Sequence, residues 1–289
     1  MSKMVLTNAK KTYGKKTVIE NLNLTLESGK IYGLIGRNGA GKTTLLSMMS
    51  NQVPVTEGTV TLDGEDIWEN RRALDRICFA RELTATKENG MAGYTVQNYL
   101  KIASCYYSRW DQSYAEKLMQ AFGLDPKSKL GKMSKGQLSA VTIVAALASK
   151  CEFTFLDEPV AGLDIVAREL FYKLLLEEYT ETGRTFMVST HIIEEAADIM
   201  EEVLILNQGK ILLKENTQEL LTRSVLVSGL QEEAEKAVAG LEVCHRERSG
   251  RRLSAVVLLD EGQEIRADCD VTVQPVTLEK LFVALCREV

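Results

Sequence analysis

Eight consecutive residues, Gly36-Arg37-Asn38-Gly39-Ala40-Gly41-Lys42-Thr43, have the types and spacing needed to grip a triphosphate. Two glycines set around four residues let the backbone bend until successive N–H groups converge on one anion. A helix beginning near Lys42 points its positive end at the same place. Lys42 adds a mobile point charge for the β- and γ-phosphates, and the Thr43 hydroxyl is a hard oxygen suited to Mg²⁺. A glycine-rich loop can match this pattern by chance, so its setting decides. Ile31 to Ile35 reads as a buried strand before it and Thr43 to Met49 as an apolar helix after it, which is the context the motif requires.

A second group fits the same chemistry. Phe153-Thr154-Phe155-Leu156 reads as an apolar strand that ends in Asp157-Glu158, and ligands in open α/β sheets collect at such carboxyl ends. Successive strand residues face opposite ways, so the two acids are assigned different tasks. Asp157 would hold Mg²⁺, directly or through water, and Glu158 would polarise an attacking water as general base. His191 follows the β-type run Thr185 to Val188, at the end of another strand, from which it would donate to the γ-phosphate.

The elements that must position these residues can be read from periodicity. Met4 to Leu6, Thr17 to Ile19 and the period-two series Leu22, Leu24, Leu26 predict antiparallel strands of a half-buried sheet, broken at Ser28-Gly29. Asp63-Gly64 between short β-type runs predicts a hairpin. From about Tyr94 to Leu147 apolar residues recur at three- and four-residue steps, predicting an inserted helical region. The runs 153–156, 186–188 and 203–206 alternate with helical stretches, the pattern of a parallel sheet. Beyond about Glu219 the pattern changes to short β-type runs at 225–227, 255–259 and 271–273 around a helical stretch from Gln231 to Val238. A final helix carries Leu278, Leu281, Phe282 and Leu285 on one stripe, with Thr277 as N-cap.

Bulk properties narrow the function classes. At 289 residues the chain can hold one large domain and a small one, and its 45% apolar and 26% charged residues leave no reason to expect disorder. The net charge of −5 argues against nucleic acid as a partner, because phosphate backbones are met with basic stripes. The six cysteines have no paired spacing and read as thiols in a reducing compartment. The most apolar stretch, from Leu138 to Ala148, is too short to span a bilayer and the first residues lack a signal-peptide core, so a membrane role needs another chain to cross.

Over roughly residues 3–215 the sequence resembles the nucleotide-binding subunits of ATP-binding cassette transporters. The family's motifs occur in order. Tyr13 stands where the family places an aromatic on adenine. Gly36 to Thr44, including Thr44 itself, matches the first nucleotide motif and Phe153 to Glu158 the second. Ala161-Gly162-Leu163-Asp164 resembles the loop that crosses the dimer interface, and Ser189-Thr190-His191 resembles the switch-histidine motif. Met133-Ser134-Lys135-Gly136-Gln137 resembles the signature, in which Ser134, Lys135, Gly136 and Gln137 would close over ATP bound to a second subunit. Two departures stand out. Lys135 replaces a glycine, which would be less comfortable if the backbone needs positive φ there, and Glu82 replaces a glutamine while remaining able to ligate Mg²⁺ or its water.

The resemblance implies a P-loop α/β fold with an antiparallel β subdomain and a helical subdomain at about 83–150, forming an ATPase domain over 1–218. A small α/β accessory domain would occupy 219–289. It also implies an ATPase with ATP and Mg²⁺ as cofactors, working as a homodimer or heterodimer against a separate membrane permease at the cytoplasmic face of the membrane. Tyr94, Tyr99, Tyr106, Tyr107 and Trp110 would offer the permease an aromatic-lined surface, or pack within the helical region. The Glu82 and Lys135 variations and the TLEKLFVAL ending are similar to bacterial exporters of peptides, toxins or antibiotics. A rival reading within the superfamily is a regulatory or nucleic-acid-associated ATP switch, which usually carries long coiled coils or two cassettes in one chain.

Overall fold

The computed structural model describes residues 1–260 and 262–286. Lys3–Tyr13 (β1) and Lys16–Glu27 (β2) pair antiparallel, their inward series Met4, Leu6, Ala9 and Leu22, Leu24, Leu26 buried as the period-two pattern predicts. Ile31–Ile35 (β3) is buried along its length and runs through the glycine loop into Lys42–Met49 (α1). Glu57–Leu62 (β4) and Glu65–Asp66 (β5) turn at Asp63-Gly64, with φ of 54° and 84°, the left-handed pair that a tight hairpin needs. These strands form a four-stranded sheet in the order β2-β1-β4-β5.

After Arg71–Leu74 (α2) and Ile77–Ala80 (β6), the helical periodicity resolves into Val96–Tyr106 (α3), Gln112–Ala121 (α4) and Lys135–Ala148 (α5). Residues 83–93 carry only a short 3₁₀ turn, and the helices begin at Val96, close to where the periodicity begins. From Ser139 to Ala148 every residue of α5 is buried. The longest apolar stretch is therefore a core helix, apolar all round because it is covered all round.

Phe153–Asp157 (β7), Ile165–Thr182 (α6), Thr185–Thr190 (β8), Ile193–Ala197 (α7), Glu202–Asn207 (β9) and Lys210–Asn216 (β10) complete the central layer. Its order is β10-β9-β3-β8-β7-β6, parallel except for β10. The carboxyl ends of β3, β8 and β7 thus lie side by side. One core lies between this sheet and the layer of α5 and α6, and another between it, α1 and the antiparallel sheet. No helix among the described residues is long and apolar enough to cross a membrane.

Thr217–Thr222 (α8) leads into Ser224–Leu230 (β11), Gln231–Ala237 (α9), Glu242–Ser249 (β12), Arg252–Leu258 (β13), Val271–Pro275 (β14) and Leu278–Cys286 (α10). The four strands form an antiparallel sheet, β12-β13-β11-β14. In β13, Ala255 and Val257 pack toward α9 while Val256 and Leu258 join a core with α10, which is why the run reads as continuously apolar. The Thr277 hydroxyl accepts from the Lys280 amide at 3.3 Å, capping α10 as its sequence predicts. Strand β12 is not signalled by the sequence: Glu242-Val-Cys-His-Arg-Glu-Arg-Ser carries no apolar alternation because it is an edge strand, largely solvated.

A buried charge cluster ties the sheet to the helical layer. Glu178 of α6 is 1% exposed; its carboxylate accepts from Lys150 Nζ at 2.7 and 2.9 Å. Arg184 Nε stands 3.1 Å away, an ionic approach without hydrogen-bond alignment. The Arg184 guanidinium also donates to the Leu147 carbonyl at the end of α5, at 2.8 Å. Removing the acid leaves Arg184 buried without its counter-charge. Glu178→Ala is expected to destabilise the fold by about 3–5 kcal/mol. Urea unfolding of the full chain checks this, and a midpoint near that of the parent would show that Arg184 finds water or another acid.

Candidate functional site: a nucleotide cradle

The loop between β3 and α1 is shaped by close approach. A Cβ on Gly36 would lie 2.5 Å from the Leu206 carbonyl of β9, and Gly41, at φ 110°, would press one within 2.9 Å of Ile19 Cδ1. Gly41 is the N-cap of α1, without a side-chain cap and without an acidic residue in the first turn. The first N–H groups of a helix have no partner within it, so they are directed into the loop. Lys42 is 7% exposed, and its Nζ donates to the Gly36 carbonyl at 2.8 Å. In this state it is a fixed charge rather than a mobile one.

Asp157 closes β7, and its carboxylate is held from two sides. The Thr43 hydroxyl donates to Oδ2 at 2.6 Å and the Ser189 hydroxyl to Oδ1 at 2.5 Å. Ser189 lies opposite Asp157 in the parallel register of β7 and β8. The donor set suits a small hard cation. Among the described residues no three acidic, thiol or imidazole side chains converge on a metal position, so one hydroxyl and one carboxylate leave the remaining ligands to phosphate oxygens and water, the usual arrangement for Mg²⁺.

Glu158 diverges from Asp157, but not through strand pleating. The strand ends at Asp157, and Glu158 takes φ 50°, a left-handed conformation that is costly for a residue with a Cβ. Its amide donates to the Ser189 carbonyl and hydroxyl, both at 3.1 Å, which holds the turn. The carboxylate then lies 3.5 Å from Lys42 Nζ and 2.7 Å from His191 Nδ1. His191 is thus beside the acid, at a strand end as its sequence position predicts. Ser189 was legible only as part of a motif; its bridging role follows from the register of two strands.

The signature-like segment sits elsewhere on the chain. Ser134 caps α5: its hydroxyl accepts from the Gln137 amide at 3.2 Å while Gln137 Oε1 accepts from the Ser134 amide at 3.0 Å. A Cβ on Gly136 would fall 2.3 Å from the Gly162 carbonyl, and the Ser139 hydroxyl donates to the Ala161 carbonyl at 2.7 Å. Lys135, Gly136 and Ser139 therefore pack on the Ala161–Asp164 loop, where Asp164 caps α6 by accepting from the Ala167 amide at 2.8 Å. The concern over Lys135 does not arise: it is the first residue of α5 and not among the positive-φ residues, so a side chain is accommodated without strain. Its Nζ reaches Glu82 Oε1 at 3.0 Å. The two departures from the family pattern meet in one ion pair.

Glu82, Thr43 and Asp157 line a single cleft of about 850 Å³, whose far wall carries Tyr99, Tyr106 and Tyr107. Tyr106 is 77% exposed; Tyr99, Tyr107 and Trp110 pack against the helical core. Tyr13, at the end of β1, is 47% exposed with Lys11 Nζ 5.0 Å from its ring centre.

Residues 19–161 match the family model described as ABC transporter. The chain is 32% identical over 219 residues to the bacitracin transport ATP-binding protein of Enterococcus faecalis, covering 75% of this chain and 70% of that protein. The chain belongs to the ABC transporter family. It is 30% identical over 228 residues to a lantibiotic transport ATP-binding protein of Streptococcus pyogenes, with 76% of this chain and 96% of that protein covered. A dimeric ATP-binding cassette in a post-hydrolysis state with ADP and Pi superposes with a TM-score of 0.65 at 23% identity, over 74% of this chain and 98% of that one, a likeness of fold. As an ABC ATPase subunit the chain binds and hydrolyses ATP, and the glycine loop, Asp157 and Glu158 lie within the residues that match the family model.

Gly136 gives a test with an unusual sign. Glycine to alanine inside a helix ordinarily stabilises by about 1 kcal/mol. Here the new methyl meets backbone, so Gly136→Ala is expected to lower the melting temperature of the full chain; a rise would mean that the Gly162 loop yields freely.

Proposed function

We propose that this subunit powers export through a separate membrane-spanning permease, acting at the cytoplasmic face of the membrane. The observation that carries the reading is the meeting of Thr43 with Asp157 beside the Lys42–Glu158–His191 row. The names of relatives for bacitracin and lantibiotic transport support export of peptide-like cargo. That a solved cassette of the same fold is a dimer supports a second nucleotide-binding subunit as partner. The 850 Å³ cleft with its exposed Tyr106 is the proposed seat of the permease, and residues 219–289 the proposed accessory domain, after an ATPase domain over 1–218.

In this reading ATP lies with its adenine on Tyr13 and its phosphates in the loop from Gly36 to Thr44. Ser134 to Gln137 and Asp164 face the nucleotide of the second subunit. Magnesium ion, held by Thr43 and Asp157 with Glu82 at the edge of the cleft, would neutralise phosphate charge. Arriving phosphates compete with the Gly36 carbonyl and with Glu158 for Lys42, freeing one carboxylate oxygen of Glu158. That oxygen takes a proton from the water as the water oxygen bonds to the γ-phosphorus, while His191 holds the other and fixes its direction. The bond between the γ-phosphorus and the bridging oxygen to the β-phosphate breaks, and ADP and phosphate leave.

Glu158→Gln is expected to lower kcat by about 100-fold or more while MgATP still binds, so that an ATP-dependent dimer accumulates on size-exclusion chromatography. Hydrolysis at the parent rate would remove the base from Glu158. Lys42→Ala should abolish tight ATP binding in a fluorescent-nucleotide titration; undiminished binding would contradict the cradle. Co-purification of a polytopic membrane protein after gentle detergent extraction tests the partner.

A further inference from the structure

The segment that carries His191 has little local support. The helix that follows, α7, has five residues and no side-chain N-cap, far below the length at which a helix holds itself. The His191 side chain is 60% exposed and its partner is Glu158. The position of this segment must therefore come from packing. Three restraints are visible. Ala196 is buried in the core under α5 and α6; Arg168 of α6 donates to Glu195 at 2.8 Å; and Ile193, two residues after His191, is buried in a different core, with α10.

That third restraint comes from the far end of the chain. Leu278, Leu281 and Ala284 of α10 share a core with Ile193 and with Ile35, the last residue of β3 before the glycine loop. The face of α10 thus touches the chain just before the phosphate loop and just after His191. Phe282 reaches furthest toward the site. It lines a cavity of about 330 Å³ whose other walls include Gly36, Arg37, Asn38, Thr190 and His191. The ring is only partly buried, although its helix is well packed, so its burial alone does not account for its place.

We propose that Phe282 is a positioning residue for ATP hydrolysis: α10 presents its ring as one wall of the cavity that the glycine loop and the His191 segment also line, limiting the swing of the imidazole away from Glu158. The accessory region then acts on turnover through one side chain, without touching nucleotide. The inference rests on the reading of His191 as part of the hydrolytic machinery, and it is tested by a measurement that does not depend on that reading.

The chain has two histidines, His191 and His245, so the imidazole spectrum of histidine-labelled full-length protein contains two side chains to assign, which a His191→Gln sample does directly. In Phe282→Ala the His191 resonances should shift and broaden with the melting temperature held within a few degrees, and Phe282→Leu should restore most of the parent spectrum. An unchanged His191 signal in Phe282→Ala overturns the proposal; should the alanine variant fail to fold, the milder truncation Phe282→Val decides by the same signal, a shift supporting the proposal and an unchanged signal overturning it. In turnover, Phe282→Ala should lower kcat about five- to tenfold with KM for MgATP within about twofold, and cost nothing further in a His191→Ala background. An equal loss in both backgrounds would mean that Phe282 acts other than through His191. If His191→Ala itself hydrolyses ATP at the parent rate, the role of His191 fails while the spectrum still reports whether Phe282 positions it.

Discussion

The whole site depends on one short contact between two groups 114 residues apart in sequence, the Thr43 hydroxyl and the Asp157 carboxylate, 2.6 Å from each other. Thr43 lies in the first turn of α1, which follows β3, and β3 is not the neighbour of β7, which carries Asp157. Strand β8 lies between β3 and β7, so the residue of β8 opposite Asp157 must be small and polar enough to share the carboxylate with Thr43. Ser189 meets both demands, binding Asp157 with its hydroxyl and the Glu158 amide with its carbonyl. A buried carboxylate is costly unless its lone pairs are used, and here both oxygens are engaged by hydroxyls that can rotate toward other partners when phosphate and cation compete for them. The order of three parallel strands is therefore also the chemistry of the site.

Much of this was legible in the residues. The glycine loop, the acid pair and His191 are each placed at a strand end, and strand ends can be read from apolar runs. The parts that escaped are those in which a residue's role depends on a neighbour distant in sequence. Glu158 was separated from Asp157 by appeal to pleating, but what separates them is a left-handed turn held by Ser189, invisible without the β7–β8 register. Gly136 reads as part of a signature, yet its lack of a side chain answers to the Gly162 carbonyl. Strand β12 carries no apolar alternation because solvent covers much of it, so hydropathy has nothing to report.

The Lys135–Glu82 pair shows how two substitutions that look awkward singly make sense together. A carboxylate in place of an amide adds negative charge at the rim of the cleft that Thr43 and Asp157 also line, and a lysine at the start of α5 adds positive charge where a helix N-terminus already carries some. Paired at 3.0 Å they cancel each other's field locally. Both side chains remain about half exposed, so the pair contributes little to stability and separates easily. Its effect is one of placement: it links the loop after β6, at the rim of the cleft, to the residues that cap α5.

The same logic applies to the carboxy-terminal region. A small sheet with a helix on each face needs apolar cover only on its inner surfaces, and α9 supplies one of them. The helix α10 does more, because its stripe is shared between that sheet and the central one, through Ile35, Val203 and Ile205. A helix packed between two sheets cannot shift against one without disturbing the other, since close-packed interiors transmit displacement rather than absorb it. Ile35, the last residue before the glycine loop, and Ile193, two residues after His191, both lie in that shared core. Any movement of the carboxy-terminal sheet would thus be felt at the segments that lead into the glycine loop and out of His191.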